Sequence, residues 1–188
     1  MNTGSFAVDI SKHRGDRATR REDVVAVEEP LEIRLGYSTP DGRASRSISI
    51  TMRTPGDDEA LAAGFLATES IIRNADDIAS IDVCGPPAPD SGNHNVIRVE
   101  LKAGVEVDLG RLQRHFYTTS SCGVCGKTSL DALKVVGQQP MRGGKPAFSK
   151  AMLVALPERL RAAQRTFDET GGLHAAAAFD HDGSFVAV

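Results

Sequence analysis

The 188-residue sequence has no tryptophan, few aromatic residues (5%) and only three cysteines. Three cysteines are too few, and odd in number, for the disulfide framework of a small secreted domain. The 22 basic residues nearly balance the 25 acidic ones, and a net charge of -3 argues against nucleic acid or an anionic membrane as a partner. Apolar runs are too short for a transmembrane helix, and charges interrupt the N-terminal region where a signal segment would lie. We therefore expect a cytoplasmic protein that binds neither nucleic acid nor membrane.

Strand-like segments dominate the first half of the chain. Leu31, Ile33 and Leu35 alternate with charged residues, which predicts a half-buried strand. Ile48, Ile50 and Met52 alternate in the same way after a Pro-Asp-Gly turn at residues 40–42, so residues 31–53 are predicted to form a β-hairpin. Further strands are predicted over residues 24–28, 78–83, 95–101, 105–109 and 184–188.

Three segments outside the region of Cys122 and Cys125 have helical signals. Thr54 is predicted to cap the first helix with Pro55 at its first position, and its core face is Leu61, Phe65, Thr68 and Ile72. The junction at residues 53–56, between a strand end and this helix start, is a place where phosphate could bind. A second helix, capped by Ser149, is expected to end near residue 156. A third runs from Pro157 to residue 167 and is terminated by Gly171 and Gly172.

These elements predict a mixed α/β (α+β) fold with an N-terminal portion that contains a β-hairpin. Residues 1–23 are polar, rich in arginine and without periodicity, so a disordered or loosely attached tail is expected there. Residues 24–188 are expected to form a single domain. The chain ends within a predicted strand, which is an unusual place for a natural domain to end.

The stretch from His115 to Asp131 carries the clearest chemistry, because Cys122 and Cys125 are two residues apart in a loop between a predicted strand and a predicted helix. Thr128 and Asp131 have the spacing of a capping box, which places the cysteines just before a helix N-terminus. The partial positive charge of that terminus, together with the neighbouring Lys127, favours thiolate over thiol. Glycines beside both cysteines leave the sulfurs open to another molecule. This arrangement predicts sulfur chemistry.

Other interpretations of the two cysteines remain open. They could be a reduced structural pair in a tight loop. A zinc site would need further ligands, and His115, Cys84 or His174 could supply them, although none has the spacing of a second ligand pair. A thiol-disulfide oxidoreductase would also use a CxxC before a helix, but the chain lacks another thioredoxin-like pattern. Cys84, which follows a predicted strand, is interpreted as a small buried or loop residue.

The sequence resembles the FdhD family, the accessory sulfurtransferases required for formate dehydrogenase activity. The resemblance extends from about residue 28 to the end of the chain. It rests on six stretches: Glu-Pro-Leu-Glu at 29–32, Met-Arg-Thr-Pro-Gly-Asp-Asp at 52–58, Gly-Phe-Leu at 64–66, Phe-Tyr-Thr-Thr-Ser-Ser-Cys-Gly-Val-Cys-Gly-Lys at 116–127, Leu-Pro-Glu at 156–158 and Thr-Gly-Gly-Leu-His-Ala-Ala at 170–176. The cysteine stretch is far more specific than a bare CxxC.

The resemblance implies a cytidine-deaminase-like fold, a homodimer, and passage of sulfur from a cysteine desulfurase to the bis-molybdopterin guanine dinucleotide cofactor of the formate dehydrogenase apoenzyme. Cys122 is predicted to carry the persulfide and Cys125 to assist, with Lys127 and Ser121 in support. The cofactor is bound as substrate, and no tightly held metal is expected. Hydroxyls and close backbone approach suit its pyrophosphates, so the candidate contacts are Thr118, Thr119, Gly171, Gly172 and His174.

Two further expectations follow from the resemblance. Family members continue beyond the position of Val188, so the predicted sulfurtransferase domain at residues 24–188 is expected to be C-terminally incomplete. The rival function is a non-catalytic chaperone that binds the molybdenum cofactor and docks on the apoenzyme. In that case the cysteines would hold sulfur without transferring it.

Overall fold

The computed structural model describes residues 4–108 and 148–188. The chain divides into two compact units, one containing residues 4–27 and 148–188 and the other residues 28–108. Each unit is described by itself. The prediction of a single sulfurtransferase domain over residues 24–188 remains a prediction.

The second unit is built on a four-stranded sheet with the order β4-β3-β6-β5. Its strands are β3 (Glu29–Thr39), β4 (Gly42–Arg53), β5 (Ile78–Pro87) and β6 (His94–Leu101). The outer pairs are antiparallel and the central pair, β3 with β6, is parallel. One face carries the core, which the alternating apolar residues of the two central strands dominate: Leu31, Ile33, Leu35, Ile97, Val99 and Leu101 are all fully buried.

The predicted hairpin over residues 31–53 is confirmed, with its turn at Pro40 and Asp41. The alternation predicted for its second strand is wrong beyond Ile48. A β-bulge shifts the register between Ile33 and Arg34, so that Ile48 has no direct partner on β3. Ile48 is buried, whereas Ile50 and Met52 lie on the opposite face with 61% and 58% of their surface exposed.

Helix α1 (Asp58–Thr68) packs on the core face of this sheet, and its cap differs from the prediction. Its N-cap is Asp57, three residues after Thr54, because Gly56 adopts a positive φ of 152° that delays the helical conformation. The later start also changes the buried face. Ala62 and Leu66 are fully buried.

The side chains predicted for that face are arranged differently. Leu61 is 37% exposed and Thr68 is exposed, while Phe65 packs against the core only in part. Ile72 is buried as predicted, but it lies beyond the helix end. The backbone N–H groups of Ile71 and Ile72 both donate to the carbonyl of Leu66, which folds this segment back onto the core.

The predicted strands at 78–83 and 95–101 are confirmed as β5 and β6, and a 3₁₀ turn (Ala75–Asp77) precedes β5. Cys84 lies within β5 rather than after it, opposite Val96, and is half-buried. Residues 105–108 are not a strand, contrary to the prediction, although Val105 and Val107 pack against the core. Residue 109 lies outside the described residues.

Gly36 makes room for an ion-pair network on the open face of the sheet. A Cβ at this position would overlap the Glu100 carboxylate, which Arg43 and Arg98 hold by ion pairs. Gly36→Ala is therefore expected to displace Glu100 and to reduce the free energy of unfolding by about 1 kcal/mol. This is a net value, because the cost of overpacking is partly offset by the smaller backbone entropy of alanine in the unfolded chain. Denaturant unfolding measures it. In a Glu100→Ala background the same substitution should cost nothing, and an equal loss there would contradict the explanation.

The first unit begins with a β-ribbon where the sequence predicts a disordered or loosely attached tail. Strands β1 (Ser5–Arg14) and β2 (Arg17–Ala26) pair along their whole length, and the N–H of Val27 donates to the carbonyl of Gly4 at the base. The prediction failed because cross-strand pairing, not burial, forms this ribbon: its sequence has little hydrophobic periodicity. The strand predicted at residues 24–28 is the end of β2.

Two helices follow in this unit, α2 (Lys150–Ala162) and α3 (Arg165–Thr170), and α3 contacts β2. Ser149 caps α2 as predicted, accepting a hydrogen bond from the Met152 N–H at 3.1 Å. The predicted break at Pro157 is wrong, because the helix continues through it. A proline inside a helix removes one backbone donor, which is why the sequence favours a break at a position where the helix in fact continues.

The strand predicted over residues 184–188 is confirmed as β8 (Phe185–Ala187). It pairs with β7 (Ala178–Phe179), and the Phe179 and Phe185 rings meet edge to face at 5.9 Å. Arg159 of α2 donates a hydrogen bond to the Gly183 carbonyl in the turn. Taken together, the elements confirm the mixed α/β (α+β) class and the N-terminal hairpin portion. The helices of the described residues include none that is long and apolar enough to cross a membrane.

Candidate functional site

The predicted sulfur site lies outside the described residues. This holds for Cys122 and Cys125, for the supporting Lys127 and Ser121, and for Thr118 and Thr119 among the proposed cofactor contacts. Their roles stay predictions. The structure does place the other three candidates, Gly171, Gly172 and His174.

Gly171 ends helix α3 in the left-handed conformation, with a φ of 67°, and its N–H donates to the Phe167 carbonyl at 2.7 Å. It is thus the helix cap that its position predicted. The Gly172 N–H donates to the Thr170 hydroxyl at 3.3 Å. His174 is exposed in the extended segment that follows, and it makes no hydrogen bond or ion pair within residues 4–108 and 148–188. These three residues lie close together in sequence, on the surface after α3.

The most constrained polar cluster is centred on Arg53, at the end of β4. Its side chain is only 5% exposed. The guanidinium forms a two-pronged ion pair with Asp58, Nε to Oδ1 at 2.8 Å and Nη2 to Oδ2 at 3.0 Å. Nη2 also donates to the His94 carbonyl at 3.2 Å and to Asn95 Oδ1 at 3.1 Å. Arg53 therefore joins the end of β4, the start of α1 and the start of β6.

Glu29, at the start of β3, completes this cluster. Its Oε2 lies 3.9 Å from Arg53 Nη1, and both atoms are buried without a hydrogen-bond partner in the described part of the chain. Oε1 accepts a hydrogen bond from Asn93 Nδ2 at 3.0 Å. Glu29, Arg53 and Asp58 belong to two of the stretches that carry the family resemblance, so the fold brings those stretches together at one buried ion-pair cluster.

The cluster positions backbone elements and does not form an anion site. Arg53 is engaged by Asp58, and Asp58 and Glu59 place negative charge in the first turn of α1. Phosphate would be repelled there, so the phosphate site considered at residues 53–56 is not supported. Sequence reasoning missed the structural role of Arg53, because its partners come from segments far apart in the chain.

The electrostatic environment of Glu29 predicts that the stability of the folded protein depends on pH. A hydrogen bond from Ser91 makes the largest contribution to lowering the pKa of Glu29, burial opposes it, and Asn93, Asn95 and Arg53 lower the pKa further. A lowered folded-state pKa stabilises the protein at pH values above the ordinary value near 4.5, and this stabilisation is lost as the pH falls through the folded-state pKa.

Glu29→Gln is accordingly expected to lower the free energy of unfolding by about 1–2 kcal/mol at pH 7. The loss should be much smaller at pH 3, because the wild-type Glu29 accepts hydrogen bonds as a charged carboxylate only at pH values where it is ionised. Denaturant unfolding across this pH range measures the effect. The exposed Glu106→Gln serves as the control and should not change the pH profile. A loss that is equal at both pH values would contradict the electrostatic explanation.

The open face of the sheet carries a second set of charges around β3 and β6. Arg34 donates to both oxygens of Glu32 at 2.9 and 3.1 Å, which lowers the pKa of Glu32 and raises the pKa of Arg34. Arg98 pairs with Glu100 at 3.0 Å. The arginine side chains of these pairs are about half exposed, at 47% and 46%, so each pair contributes little to stability. Cys84 lies at the edge of this face.

The described residues contain no group of three or more His, Cys, Asp or Glu side chains arranged to hold a metal ion. Cys84, half-buried in β5, and His174, exposed after α3, were the described candidates for additional zinc ligands. They belong to different units. The zinc interpretation of Cys122 and Cys125 stays a prediction, because both cysteines lie outside the described residues.

Comparison with known proteins identifies the relatives of this chain. It is 45% identical over 181 residues to the sulfur carrier protein FdhD of Streptomyces coelicolor, covering 95% of this chain and 61% of the relative. It is 42% identical over 177 residues to the protein of the same name from Mycobacterium tuberculosis, covering 92% and 61%. The chain thus spans about 61% of the length of these relatives.

A solved structure and a family model also match. The structure is that of a protein assigned as a formate dehydrogenase accessory protein from Desulfotalea psychrophila, with 28% sequence identity, a TM-score of 0.42, and coverage of 55% of this chain and 37% of that one. The model of the FdhD/NarQ family matches residues 26–188, which include every stretch that carries the sequence resemblance. The chain belongs to the FdhD/NarQ family.

Proposed function

We propose that the protein is a sulfur carrier that passes persulfide sulfur from a cysteine desulfurase to the bis-molybdopterin guanine dinucleotide cofactor of formate dehydrogenase. The observation that carries this proposal is the family match over residues 26–188, which contains the Cys-Gly-Val-Cys-Gly-Lys sequence at 122–127. Relatives that are 45% identical have the name sulfur carrier protein. The chain's shorter length makes its own activity a question for experiment.

Loading of sulfur follows from thiolate chemistry. The Cys122 thiolate attacks the terminal sulfur of the desulfurase persulfide, a new S–S bond forms on Cys122, and the donor S–S bond breaks with its electron pair leaving on the desulfurase cysteine. No external oxidant or reductant is consumed. The predicted helix start and Lys127 favour the thiolate that this attack needs. Cys125 is assigned an auxiliary role, as the thiol that can attack the persulfide next.

Delivery requires a cofactor contact beside the cysteines. Thr118, Thr119 and Ser121 precede or adjoin Cys122 in sequence and offer hydroxyl groups suited to pyrophosphate oxygens. Gly171, Gly172 and His174 are weaker candidates: the first is a helix cap and the last is an exposed imidazole. In this proposal the protein works in the cytoplasm as a homodimer and meets the desulfurase and the dehydrogenase apoenzyme in turn.

The test begins with the purified 188-residue chain, a cysteine desulfurase and cysteine, followed by intact-mass analysis. The expected result is a gain of one sulfur atom that a thiol reductant removes. Transfer of labelled sulfur to cofactor-loaded dehydrogenase then separates the carrier from the chaperone, because the chaperone predicts binding without turnover. Absence of sulfur together with stoichiometric zinc in the native mass would replace the proposal with a metal site. Absence of both would contradict a carrier role for this chain.

A further inference from the structure

The outer half of the β1–β2 ribbon, residues 11–22, is an exposed basic surface that the proposed function does not use. Every residue in this range, which we call the ribbon tip, is exposed. It contains five basic residues, Lys12, Arg14, Arg17, Arg20 and Arg21, against two acidic ones. The chain as a whole carries a net charge of -3, whereas basic residues outnumber acidic ones in the ribbon tip. The family match begins at residue 26, beyond the tip.

The pairing of the two strands brings like charges together. Arg14 lies directly opposite Arg17, and Lys12, opposite Thr19, is two pairs further along on the same face. Like charges in directly opposed positions destabilise a sheet. A two-stranded ribbon exposed on both faces is already marginal in water. This distribution therefore does not serve the stability of the ribbon.

Within the described part of the chain, one of these five cations forms an ion pair. Arg21 pairs with Asp23 at 2.6 Å, and this hydrogen bond is the main cause of the lowered pKa of Asp23. Lys12, Arg14, Arg17 and Arg20 make no ion pair within residues 4–108 and 148–188. An anionic partner would both satisfy these cations and remove the repulsion between Arg14 and Arg17.

We propose that the ribbon tip is a docking arm for an extended acidic polypeptide segment of a partner protein. Carboxylates along the segment would pair with the cations of the ribbon, four of which lie on one face and only Arg20 on the other, and the strand edges offer backbone groups to an extended chain. Residues 11–22 contain no Phe, Tyr or Trp ring on which a nucleic acid base could stack, and an apolar wedge for a bilayer is equally absent from them. A polypeptide fits this surface best.

The test uses poly-L-glutamate as the acidic probe and oligothymidylate as the nucleic acid probe, matched in charge, at low ionic strength. The tip variant is Lys12→Glu/Arg14→Glu/Arg17→Glu/Arg20→Glu. The matched control, Arg73→Glu/Lys102→Glu/Lys150→Glu/Arg165→Glu, makes the same change in net charge at four exposed cations elsewhere. A neutral tip variant with glutamine at the same four positions shows whether loss of charge alone is sufficient, and circular dichroism confirms that each variant is folded.

The wild-type chain is expected to bind poly-L-glutamate with a salt-dependent Kd. The tip variants should raise this Kd about tenfold, because they lose four exposed ion pairs, and the control variant should leave it unchanged. The neutral variant should also melt at the same or a higher temperature than wild type, because repulsion between Arg14 and Arg17 is gone. Failure of wild type to bind, or equal weakening in the control, would overturn the proposal. Tighter, tip-dependent binding of oligothymidylate would reassign the arm to nucleic acid.

Discussion

Cys122→Ala is expected to abolish persulfide loading of the chain by a cysteine desulfurase. The reaction needs a sulfur nucleophile that the donor can reach, and the proposal assigns that role to Cys122 with Cys125 as the auxiliary thiol. Cys122 is the first cysteine after a predicted strand, where a thiol is open to a large partner, and the predicted helix start and Lys127 favour its thiolate. Intact-mass analysis before and after reduction measures the loss directly.

The chain supplies matched controls for this result. Cys84→Ala removes a thiol that is half-buried in strand β5, and it should load sulfur as the wild type does. Cys125→Ala should still load, but a persulfide on Cys122 would last longer because the thiol able to attack it is gone. Full loading of Cys122→Ala would move the carrier role to Cys125. Loss of loading in Cys84→Ala would show that the assay detects a general effect on folding.

Arg53→Met is expected to lower the free energy of unfolding of the described second unit by about 3 kcal/mol. The substitution leaves the carboxylates of Asp58 and Glu29, which are 18% and 15% exposed, without their shared cation. Removing one partner of a buried ion pair costs more than the pair contributes, because the remaining charge stays desolvated. The hydrogen bonds to His94 and Asn95 are lost as well.

Native-state hydrogen exchange of the β3 and β6 amides measures this loss within the unit itself. Arg98→Met is the matched control, since it removes an arginine of the same sheet whose side chain is 46% exposed, and it should cost less than about 1 kcal/mol. Arg53→Lys keeps the charge but not the two-pronged geometry, so its loss should be intermediate. Equal losses in Arg53→Met and Arg98→Met would mean that burial of the guanidinium is unimportant.

Short-range patterns in the sequence were sufficient wherever one residue's neighbours along the chain determine its conformation. The alternation of Leu31, Ile33 and Leu35 predicted β3, the Pro-Asp-Gly sequence predicted the turn that follows, and Ser149 and Gly171 marked a helix start and a helix end. Each of these signals acts within a few residues. The spacing of Cys122 and Cys125 is a signal of the same kind, and it predicts chemistry that awaits the loading experiment.

Patterns that depend on distant partners were misjudged. The bulge opposite Ile33 exposes Ile50 and Met52, and it is a property of the pairing between β3 and β4, not of either strand's sequence. The β1–β2 ribbon forms because two polar strands satisfy each other's backbone groups, which hydrophobic periodicity does not record. The end of a helix was also misjudged: α2 continues through Pro157, where the local helix propensity favours a break.

The sequence by itself thus determined the family, the mixed class of the fold and the residues proposed to carry sulfur. Only the tertiary structure showed that Glu29, Arg53 and Asp58 meet in one buried cluster, and that the cations of residues 11–22 are collected on an exposed ribbon. The physical reason is the same in both cases. Electrostatic interactions act through space, so residues that are distant in sequence can share one charge environment only after strand pairing has brought them together.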